Sequence, residues 1–400
     1  MNWNKRVLSR KKTAICLLLC LTFALGACMK RVEHPPLDVT FVPSSGDFIS
    51  PEGERLSLDA VLDMAKGKDY ILLGEGHKNI CDHSIQQQIV SRLSQSDTPP
   101  AVGLEMVAVD KQPVLDDFAA GMIEVADLEE ELEWSERWGY PYSLFEGLFE
   151  IVREHSLPIS GLNAPRSVTK KITENGLESL TDEERALLPA EIVPPAKEQK
   201  AFLDEVFAQH STRDTDDPDQ RERFFLVQSI WDSKMAEEAV ALRKRYDWPV
   251  VIIAGSAHVE NGWGIARRLK KFDPDAETLI VMPWRGGSFD KDSGDVFFYC
   301  PDKYRSKMGA TLVATGQGGL LVEQVERGSR ADEAGLRPGD VLLEAADIPL
   351  DYLFSLHMAG TKVYKADEDL VFVVRRGEAV FSVNVGKLGK KGKAESESVR

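Results

Sequence analysis

Four strand-like apolar segments of this chain each lead into polar side chains that a protein core does not favour. These side chains are Glu75, His77, Glu105, Asn163 and His258. If the four strands are parallel, their carboxyl ends lie along one edge of a sheet, where α/β proteins bind ligands. We therefore expect two histidines, two glutamates and an asparagine from distant parts of the chain to converge on one site.

Imidazole and carboxylate groups at one site could do two kinds of chemistry. His77, Glu105 and His258 could hold a divalent metal such as zinc or iron, with His83 as a further candidate ligand. Metal-bound water would then attack a carbonyl, with Glu75 as general base. Without a metal, His77 could itself be the base, oriented by Glu105 or Glu75. Alternatively, each glutamate only braces a loop by accepting backbone N–H groups.

An aromatic run, WSERWGYPY, extends from Trp134 to Tyr142. Its rings could line a haem pocket together with the histidines, and a tyrosine or histidine would ligate the iron. The candidate haem contacts are His77, His258, Trp138, Tyr140 and Tyr142. A packed helix cap explains the same aromatic run equally well. The sequence contains no Cys-x-x-Cys-His motif, which excludes covalent c-type haem.

The elements that must position these residues alternate between strand-like and helix-like over residues 52–300. This alternation predicts an α/β fold, with a mostly parallel sheet flanked by helices. A large helical insertion at about 165–246 could cap the site. A small mostly-β domain is expected over 305–386. The charged tail over 387–400 has too little apolar content to fold and is expected to be disordered.

The pattern of the small C-terminal domain resembles that of a bacterial PDZ domain. The resemblance rests on Gly319–Ser329 and Ala334–Leu342, which carry the run V…GS…A…AGL..GD.L. It implies a groove that adds an extended peptide or a protein C-terminus as a strand, and that holds the terminal carboxylate on backbone N–H groups. By position, the carboxylate loop would be Met308, Gly309 and Ala310. Asp347 departs from the pattern, since many relatives have glycine there.

Four motifs resemble, in their order, the ChaN-like family of the haem-binding uptake and Tiki superfamily. They are Gly74–His77 followed by Cys81-Asp82-His83, then Gly103–Met106, then Trp134–Tyr142, and finally Gly255–His258 followed by Asn261–Gly264. The resemblance covers about Tyr70 to Met282. It implies an α/β fold with a helical insertion, and binding of haem through a tyrosine, for which Tyr140 and Tyr142 are the candidates. Distant relatives imply a metal-dependent peptidase, or an esterase whose base is a histidine.

The start of the chain is basic, and an apolar stretch from Ala14 to Leu25 follows. Its 12 residues are fewer than the roughly 20 that span a bilayer, so a signal peptide is expected over 1–27. The stretch ends in LGAC, which resembles a bacterial lipobox. That resemblance implies a lipidated Cys28 in the bilayer and a tether over 28–51. Residue 29 is not aspartate, which implies an outer-membrane anchor facing the periplasm. An ordinary signal peptide is the alternative.

Charge and cysteine content limit the partners and the covalent cross-links. The formal net charge is −16, and a chain this acidic is not expected to bind nucleic acid. Only Cys81 and Cys300 lie beyond the leader and the lipobox. The periplasm would permit a disulfide, but nothing in the sequence places the two cysteines within bridging distance. Separate thiols are therefore expected.

These observations together predict a membrane-anchored periplasmic lipoprotein that binds haem or another small iron ligand at the strand-end crevice. Its PDZ domain would recruit a protein partner. One alternative is a metal-dependent hydrolase or peptidase to which the PDZ domain delivers substrate. A second alternative is a non-catalytic interaction scaffold. The sequence leaves open whether the protein is an enzyme.

Overall fold

The computed structural model describes most of the chain after the predicted leader. The described ranges are 39–41, 43–210, 218–286, 290–315, 318–350 and 353–388. The predicted signal peptide, Cys28 and the tail beyond residue 388 lie outside the described residues. Within these ranges, no helix combines the length and the apolar character that crossing a bilayer requires.

The first sheet has eight strands in the order β2-β1-β8-β7-β3-β6-β4-β5. Their bounds are β1 Phe48–Ile49, β2 Arg55–Leu56, β3 Tyr70–Glu75, β4 Ala101–Ala108, β5 Ile159–Asn163, β6 Val250–Gly255, β7 Thr278–Trp284 and β8 Val296–Tyr299. From β8 to β5 every neighbouring pair is parallel, whereas β1 is antiparallel to both β2 and β8. The predicted mostly parallel α/β sheet is therefore confirmed.

The central strands β3 and β6 are apolar up to their carboxyl ends because helices cover both faces of the sheet. Every residue of β3 and of β6 is buried. Alternate side chains enter different cores: Ile71 and Leu73 face one apolar cluster, while Tyr70 and Leu72 face another. A strand that is buried on both sides carries no polar residue until its end, which is why the polar strand ends stand out in the sequence.

Fourteen α-helices occur in the described ranges. Their bounds are α1 Leu58–Ala65, α2 Ile80–Leu93, α3 Gln112–Ala119, α4 Leu128–Glu131, α5 Trp134–Arg137, α6 Glu146–Glu154, α7 Arg166–Asn175, α8 Asp182–Arg185, α9 Lys197–His210, α10 Pro218–Tyr246, α11 Ser256–Val259, α12 Ile265–Phe272, α13 Arg330–Glu333 and α14 Leu353–Ala366. Helices α7 to α10 lie between β5 and β6, where the insertion was predicted. The long helix α10 packs on β5, β4 and α12.

A separate antiparallel sheet follows the first one in sequence. Its strands are β9 Lys303–Arg305, β10 Ala310–Ala314, β11 Leu320–Val325, β12 Val341–Ala345, β13 Ile348–Pro349, β14 Asp369–Arg376 and β15 Ala379–Lys387. The order is β15-β14-β12-β11-β10-β9, and β13 pairs with β12. This sheet and α14 share an apolar core of their own, which includes Leu312, Val322 and Phe372.

A disulfide joins Cys81 to Cys300, so the expectation of separate thiols is wrong. The two Cα atoms lie 5.6 Å apart, although 219 residues separate them in sequence. Cys81 is near the start of α2, just beyond the carboxyl end of β3, and Cys300 directly follows β8. Because β8 belongs to the parallel part of the sheet, its carboxyl end reaches the same edge as that of β3.

Candidate functional site

The carboxyl ends of three neighbouring strands bring four of the predicted side chains together. Glu75 ends β3, Glu105 lies in β4, and Gly255 ends β6, which runs between them. His258 follows β6 in the short helix α11. The His77 ring lies against Gly255, where a β-carbon would be 2.7 Å from His77 Cε1 and 3.5 Å from Glu105 Oε2. Glu75, His77, Glu105 and His258 thus form one cluster.

The structure differs from the prediction for Asn163 and for the metal-ligand set at this edge. Asn163 ends β5 and is buried, but its Oδ1 accepts the N–H of Ala164 at 2.8 Å, so it caps its own backbone. His77, Glu105 and His258 do not form a ligand set, and across the described ranges no three His, Cys, Asp or Glu side chains are arranged to hold a metal ion. Nδ1 of each histidine instead faces a carboxylate oxygen.

Glu75 fixes the orientation and the tautomer of His77. The Glu75 carboxylate is fully buried, and its Oε1 lies 2.9 Å from Nδ1 of the partly exposed His77 ring. Since a carboxylate only accepts, Nδ1 carries the hydrogen, and Nε2 of a neutral His77 is left with a free lone pair. Burial alone would lower the pKa of His77, but Glu75 and the nearby Glu105 raise it above its ordinary value.

His83 packs behind this pair rather than opening onto the site. Its side chain is buried, and its ring stands edge-on to Phe145 at 4.4 Å. Nε2 donates to the carbonyl oxygen of His77 at 3.2 Å, and Nδ1 lies 3.4 Å from Glu75 Oε2. His83, predicted as a candidate metal ligand, therefore supports the His77 loop from inside the protein.

His258 is held between two carboxylates. Its Nδ1 lies 2.6 Å from Asp232 Oδ1, and its Nε2 lies 3.4 Å from Glu105 Oε1. The other oxygen of Glu105 accepts the N–H of Gly255 at 2.6 Å. Burial lowers the pKa of His258, but Glu105 and Asp232 together outweigh it and raise the pKa to about 9. His258 is therefore a buried cation at neutral pH.

Asp232 and Arg268 complete this network, and the sequence analysis did not identify either of them. Asp232 lies in α10 and Arg268 in α12, and both are buried. Arg268 Nη1 is 3.1 Å from Asp232 Oδ2, which also accepts from Gln199 Nε2 at 2.9 Å. Arg268 further donates to the backbone carbonyls of Val193 and Gly264, both at 2.9 Å. The helical insertion is thereby fastened to the candidate site.

Aromatic rings flank the exposed side of His77. The Trp138 ring meets the His77 ring edge-on at 4.8 Å, and the Tyr140 ring lies 5.1 Å away. The ammonium of Lys78 lies 5.5 Å from the centre of the Tyr140 ring. Nε1 of Trp138 is buried and has no hydrogen-bond partner in the described part of the chain. These groups form a partly exposed aromatic wall around one imidazole.

Tyr142 does not belong to this wall, which corrects its prediction as a haem contact. Its side chain is buried, and its hydroxyl donates to the carbonyl of Val125 at 2.7 Å. Its ring stacks on Phe149 and meets the buried Trp134 edge-on. Burial raises the pKa of Tyr142. Of the two tyrosines in the aromatic run, only Tyr140 therefore reaches the candidate site.

The loop predicted to bind a peptide carboxylate in the C-terminal sheet is already hydrogen-bonded internally. The N–H of Gly309 donates to the carbonyl of Ser306 at 3.0 Å, and the N–H of Ala310 lies 3.2 Å from Ser306 Oγ. Gly309 has a φ of +87°, and a β-carbon there would lie 2.2 Å from Ser329, so only glycine fits. Met308 is buried, and its carbonyl accepts from Ala331. The N–H groups of Gly309 and Ala310 are thus already engaged within the chain.

Comparison with known proteins assigns the family. A profile described as haem-binding uptake, Tiki superfamily, ChaN matches residues 61–269, more than half of the chain. This chain belongs to that family. Among solved structures, ChaN of Campylobacter jejuni with cofacially bound heme matches with a TM-score of 0.52 and 21% identity, covering 66% of this chain and 98% of that one. The ChaN-like α/β fold is therefore shared.

Weaker structural matches carry no further argument about this ChaN-family protein. A mutant erythromycin esterase EreC in its open conformation matches with a TM-score of 0.36 and 11% identity, covering 74% of this chain and 89% of that one. The HtrA3 PDZ domain with a phage-derived ligand matches with a TM-score of 0.17 and 17% identity, covering 21% and 84%. No curated protein matches significantly.

The close approach of His77 to Gly255 gives a prediction for this ChaN-family site. In Gly255→Ala, the new β-carbon would lie 2.7 Å from His77 Cε1 and 3.0 Å from Nε2. The φ of −56° suits any residue, so the effect is steric. We expect a loss of about 1–3 kcal/mol in the free energy of unfolding and a displaced ring. In a double-mutant cycle, His77→Ala should relieve most of this loss; an undiminished loss in that background would contradict the contact.

The raised pKa of His258 makes stability depend on pH. The pKa of His258 is about 9 in the folded protein and about 6.5 in the unfolded chain. The stabilisation that protonated His258 gives the folded protein is therefore complete below pH 6.5. It is lost as pH rises through 9. We expect the free energy of unfolding to fall by an amount on the order of 3 kcal/mol. Urea unfolding followed by tryptophan fluorescence measures this loss in the α/β domain, because all described tryptophans precede Cys300. His258→Asn should abolish this slope; a slope that survives the substitution would assign it to other groups.

Proposed function

We propose that this protein binds haem at the carboxyl edge of the parallel sheet, with His77 as the iron ligand. The observation that carries the proposal is the partly exposed His77 imidazole, which Glu75 orients through Nδ1 at 2.9 Å. This hydrogen bond leaves Nε2 as the nitrogen that can bind iron. Family membership supports the proposal, as does the bound heme of the Campylobacter jejuni relative. Tyr140 is the alternative ligand.

The side chains around His77 suit a flat, apolar ligand that carries carboxylates. Trp138 and Tyr140 supply aromatic surface on one side of the imidazole. The buried Nε1 of Trp138, with no partner in the described ranges, can donate to a polar group of a ligand. Lys78 supplies a positive charge at the same rim. The bound iron porphyrin would supply the redox and ligand chemistry; these residues bind and orient it.

Haem titration tests this proposal directly. The full chain should give a Soret shift that saturates at a fixed stoichiometry, and His77→Ala should remove or strongly weaken it. Tyr140→Phe tests the alternative ligand, because it keeps the ring and loses only the hydroxyl. His155→Ala is the matched control, since residue 155 precedes β5 and lies towards the opposite edge of the sheet. An unchanged haem spectrum on mixing with the full chain would refute the proposal.

Acid–base hydrolysis is the second candidate function, and one geometric observation favours it. Two carboxylate–histidine pairs, Glu75 with His77 and Asp232 with His258, flank the carboxylate of Glu105. Such pairs orient a histidine as a general base or acid. Peptide or ester cleavage that disappears in His77→Ala would support a hydrolase. If the protein shows neither haem binding nor cleavage, the interaction scaffold is the remaining alternative.

We further propose that the protein is a lipoprotein anchored through Cys28 to the outer membrane and facing the periplasm. The lipobox-like LGAC sequence and the basic leader support this location. The Cys81–Cys300 disulfide suits an oxidising compartment. We also propose that the C-terminal antiparallel sheet is a PDZ domain that recruits an extended protein segment, since its sequence pattern resembles that family. Labelling with a radioactive fatty acid, abolished by Cys28→Ala, tests the anchor.

A further inference from the structure

The outer edge of β10, where an extended peptide would add to a PDZ-like sheet, is occupied by the chain's own β9. In the antiparallel register, Arg305 lies opposite Thr311, Tyr304 opposite Leu312 and Lys303 opposite Val313. The inner edge of β10 pairs with β11. A bound partner strand would therefore have to take the place of Lys303–Arg305.

The turn after β9 also takes the donors that a peptide terminus would use. Ser306 accepts the N–H of Gly309 through its carbonyl at 3.0 Å, and its hydroxyl lies 3.2 Å from the N–H of Ala310. These N–H groups belong to the loop that the sequence assigns to a terminal carboxylate. Residues 303–306 therefore occupy both the strand edge and the adjoining loop.

The side chains of β9 show what chemistry this edge recognises. Lys303 Nζ lies 3.0 Å from Glu323 Oε1, and Arg305 Nη2 lies 3.0 Å from Glu326 Oε2. Between them, Tyr304 lines the groove between the sheet and α14. Because alternate residues of a strand face opposite sides, one face of the occupant is basic and the other is aromatic. The edge thus fits a basic–aromatic–basic segment.

Strand β9, the occupant of the outer edge of β10, is weakly held there. All three residues of β9 are exposed, and the side chains of Lys303 and Arg305 retain 65% and 75% of their exposure. Exposed ion pairs of this kind add little to stability, and short exposed segments open readily. A cavity of about 1370 Å³ adjoins Tyr304 and Gly309 and is walled by Leu356 and Tyr364 of α14. A displaced strand would therefore leave a groove ready for another peptide.

We propose that the outer edge of β10 binds an extended peptide with a basic–aromatic–basic pattern, and that residues 303–306 are a resident occupant that must leave first. This inference rests on the proposed peptide-binding role of the C-terminal sheet. The fraction of molecules with an open edge scales the apparent affinity for an external peptide. The protein would thus admit only partners that outcompete its own segment.

The test uses the full chain and a fluorescein-labelled peptide, Asp-Lys-Tyr-Arg-Ser, which copies residues 302–306 with a free carboxylate. In the double variant K303E/R305E, the resident strand is repelled by Glu323 and Glu326. We expect this variant to bind the probe about tenfold more tightly than the unaltered chain. K303Q/R305Q should lie in between. A charge-reversed peptide, Asp-Glu-Tyr-Glu-Ser, should bind none of these three proteins.

Hydrogen exchange gives a second readout that does not depend on probe affinity. Without peptide, the backbone amides of residues 311–313 should exchange faster in K303E/R305E than in the unaltered chain, and the probe should slow them again. Equal probe affinity in both proteins, with equal exchange, would overturn the resident-strand inference while leaving the peptide-binding role intact. Absence of probe binding in both proteins would overturn the peptide-binding role itself. Circular dichroism confirms that the variants remain folded.

Discussion

Replacing Asp232 with alanine is expected to lower the free energy of unfolding of the α/β domain by about 3–5 kcal/mol. The carboxylate is 1% exposed and lies between two cations, 2.6 Å from His258 Nδ1 and 3.1 Å from Arg268 Nη1. Its removal leaves the buried guanidinium of Arg268 without its counter-charge and weakens the support of His258. Breaking a buried pair from one side costs more than the pair contributes, because the remaining charge stays desolvated.

Urea unfolding followed by tryptophan fluorescence measures this loss. Glu191→Ala is the matched control, because Glu191 of the same insertion pairs with Lys271 of α12 on the surface, and both side chains are about half exposed. Exposed pairs contribute at most about 1 kcal/mol, so the control should remain close to the unaltered chain. If both substitutions lower stability equally, the buried network does not hold the insertion. Asp232→Ala should also flatten the alkaline stability loss assigned to His258.

The fold and the convergence of the site could be predicted because the same physical constraint produces both. Strands buried on two faces must be apolar as far as the edge where they end, so β3 and β6 can be recognised directly in the sequence. Parallel strands then end on one edge, which brings together polar residues that lie far apart in the chain. Glu75, Glu105 and His258 could therefore be assigned to one site without any contact information.

The rest of the network could not be predicted, because its members lie in helices that have no local signal. Asp232 and Arg268 belong to polar helical stretches in which charged residues are usually solvated. Their burial depends on how α10 and α12 pack on the sheet. Tyr140 and Tyr142 are two residues apart, and the turn between them decides which ring faces the site. Neighbouring sequence does not determine that orientation.

The disulfide cannot be predicted from the sequence for a related reason, since no local pattern assigns β8 to the parallel sheet. The strand Val296–Tyr299 is short, and it follows β7 after a loop. Only its parallel pairing with β7 places Cys300 at the edge where α2 begins. Long-range strand order, rather than local pattern, brings Cys300 close to Cys81.

Removing the Cys81–Cys300 disulfide is expected to lower the free energy of unfolding by about 4–5 kcal/mol. The bond closes a loop with a sequence separation of 219 residues, so its loss greatly increases the conformational entropy of the unfolded chain. Unfolding with and without reductant measures the effect in the unaltered protein. The double variant C81A/C300A should match the reduced protein closely.

The same variant is the control for the reductant, since its stability should not respond to reduction. A shift of less than about 1 kcal/mol on reducing the unaltered chain would show that the unfolded state gains little freedom when the bond opens.

The bond also fixes the start of the segment that leads into β9, together with the hydrogen bond from Arg285 to the carbonyl of Cys300 at 2.7 Å. Reduction should therefore also increase probe binding at β10, because a less constrained segment leaves the strand edge more often.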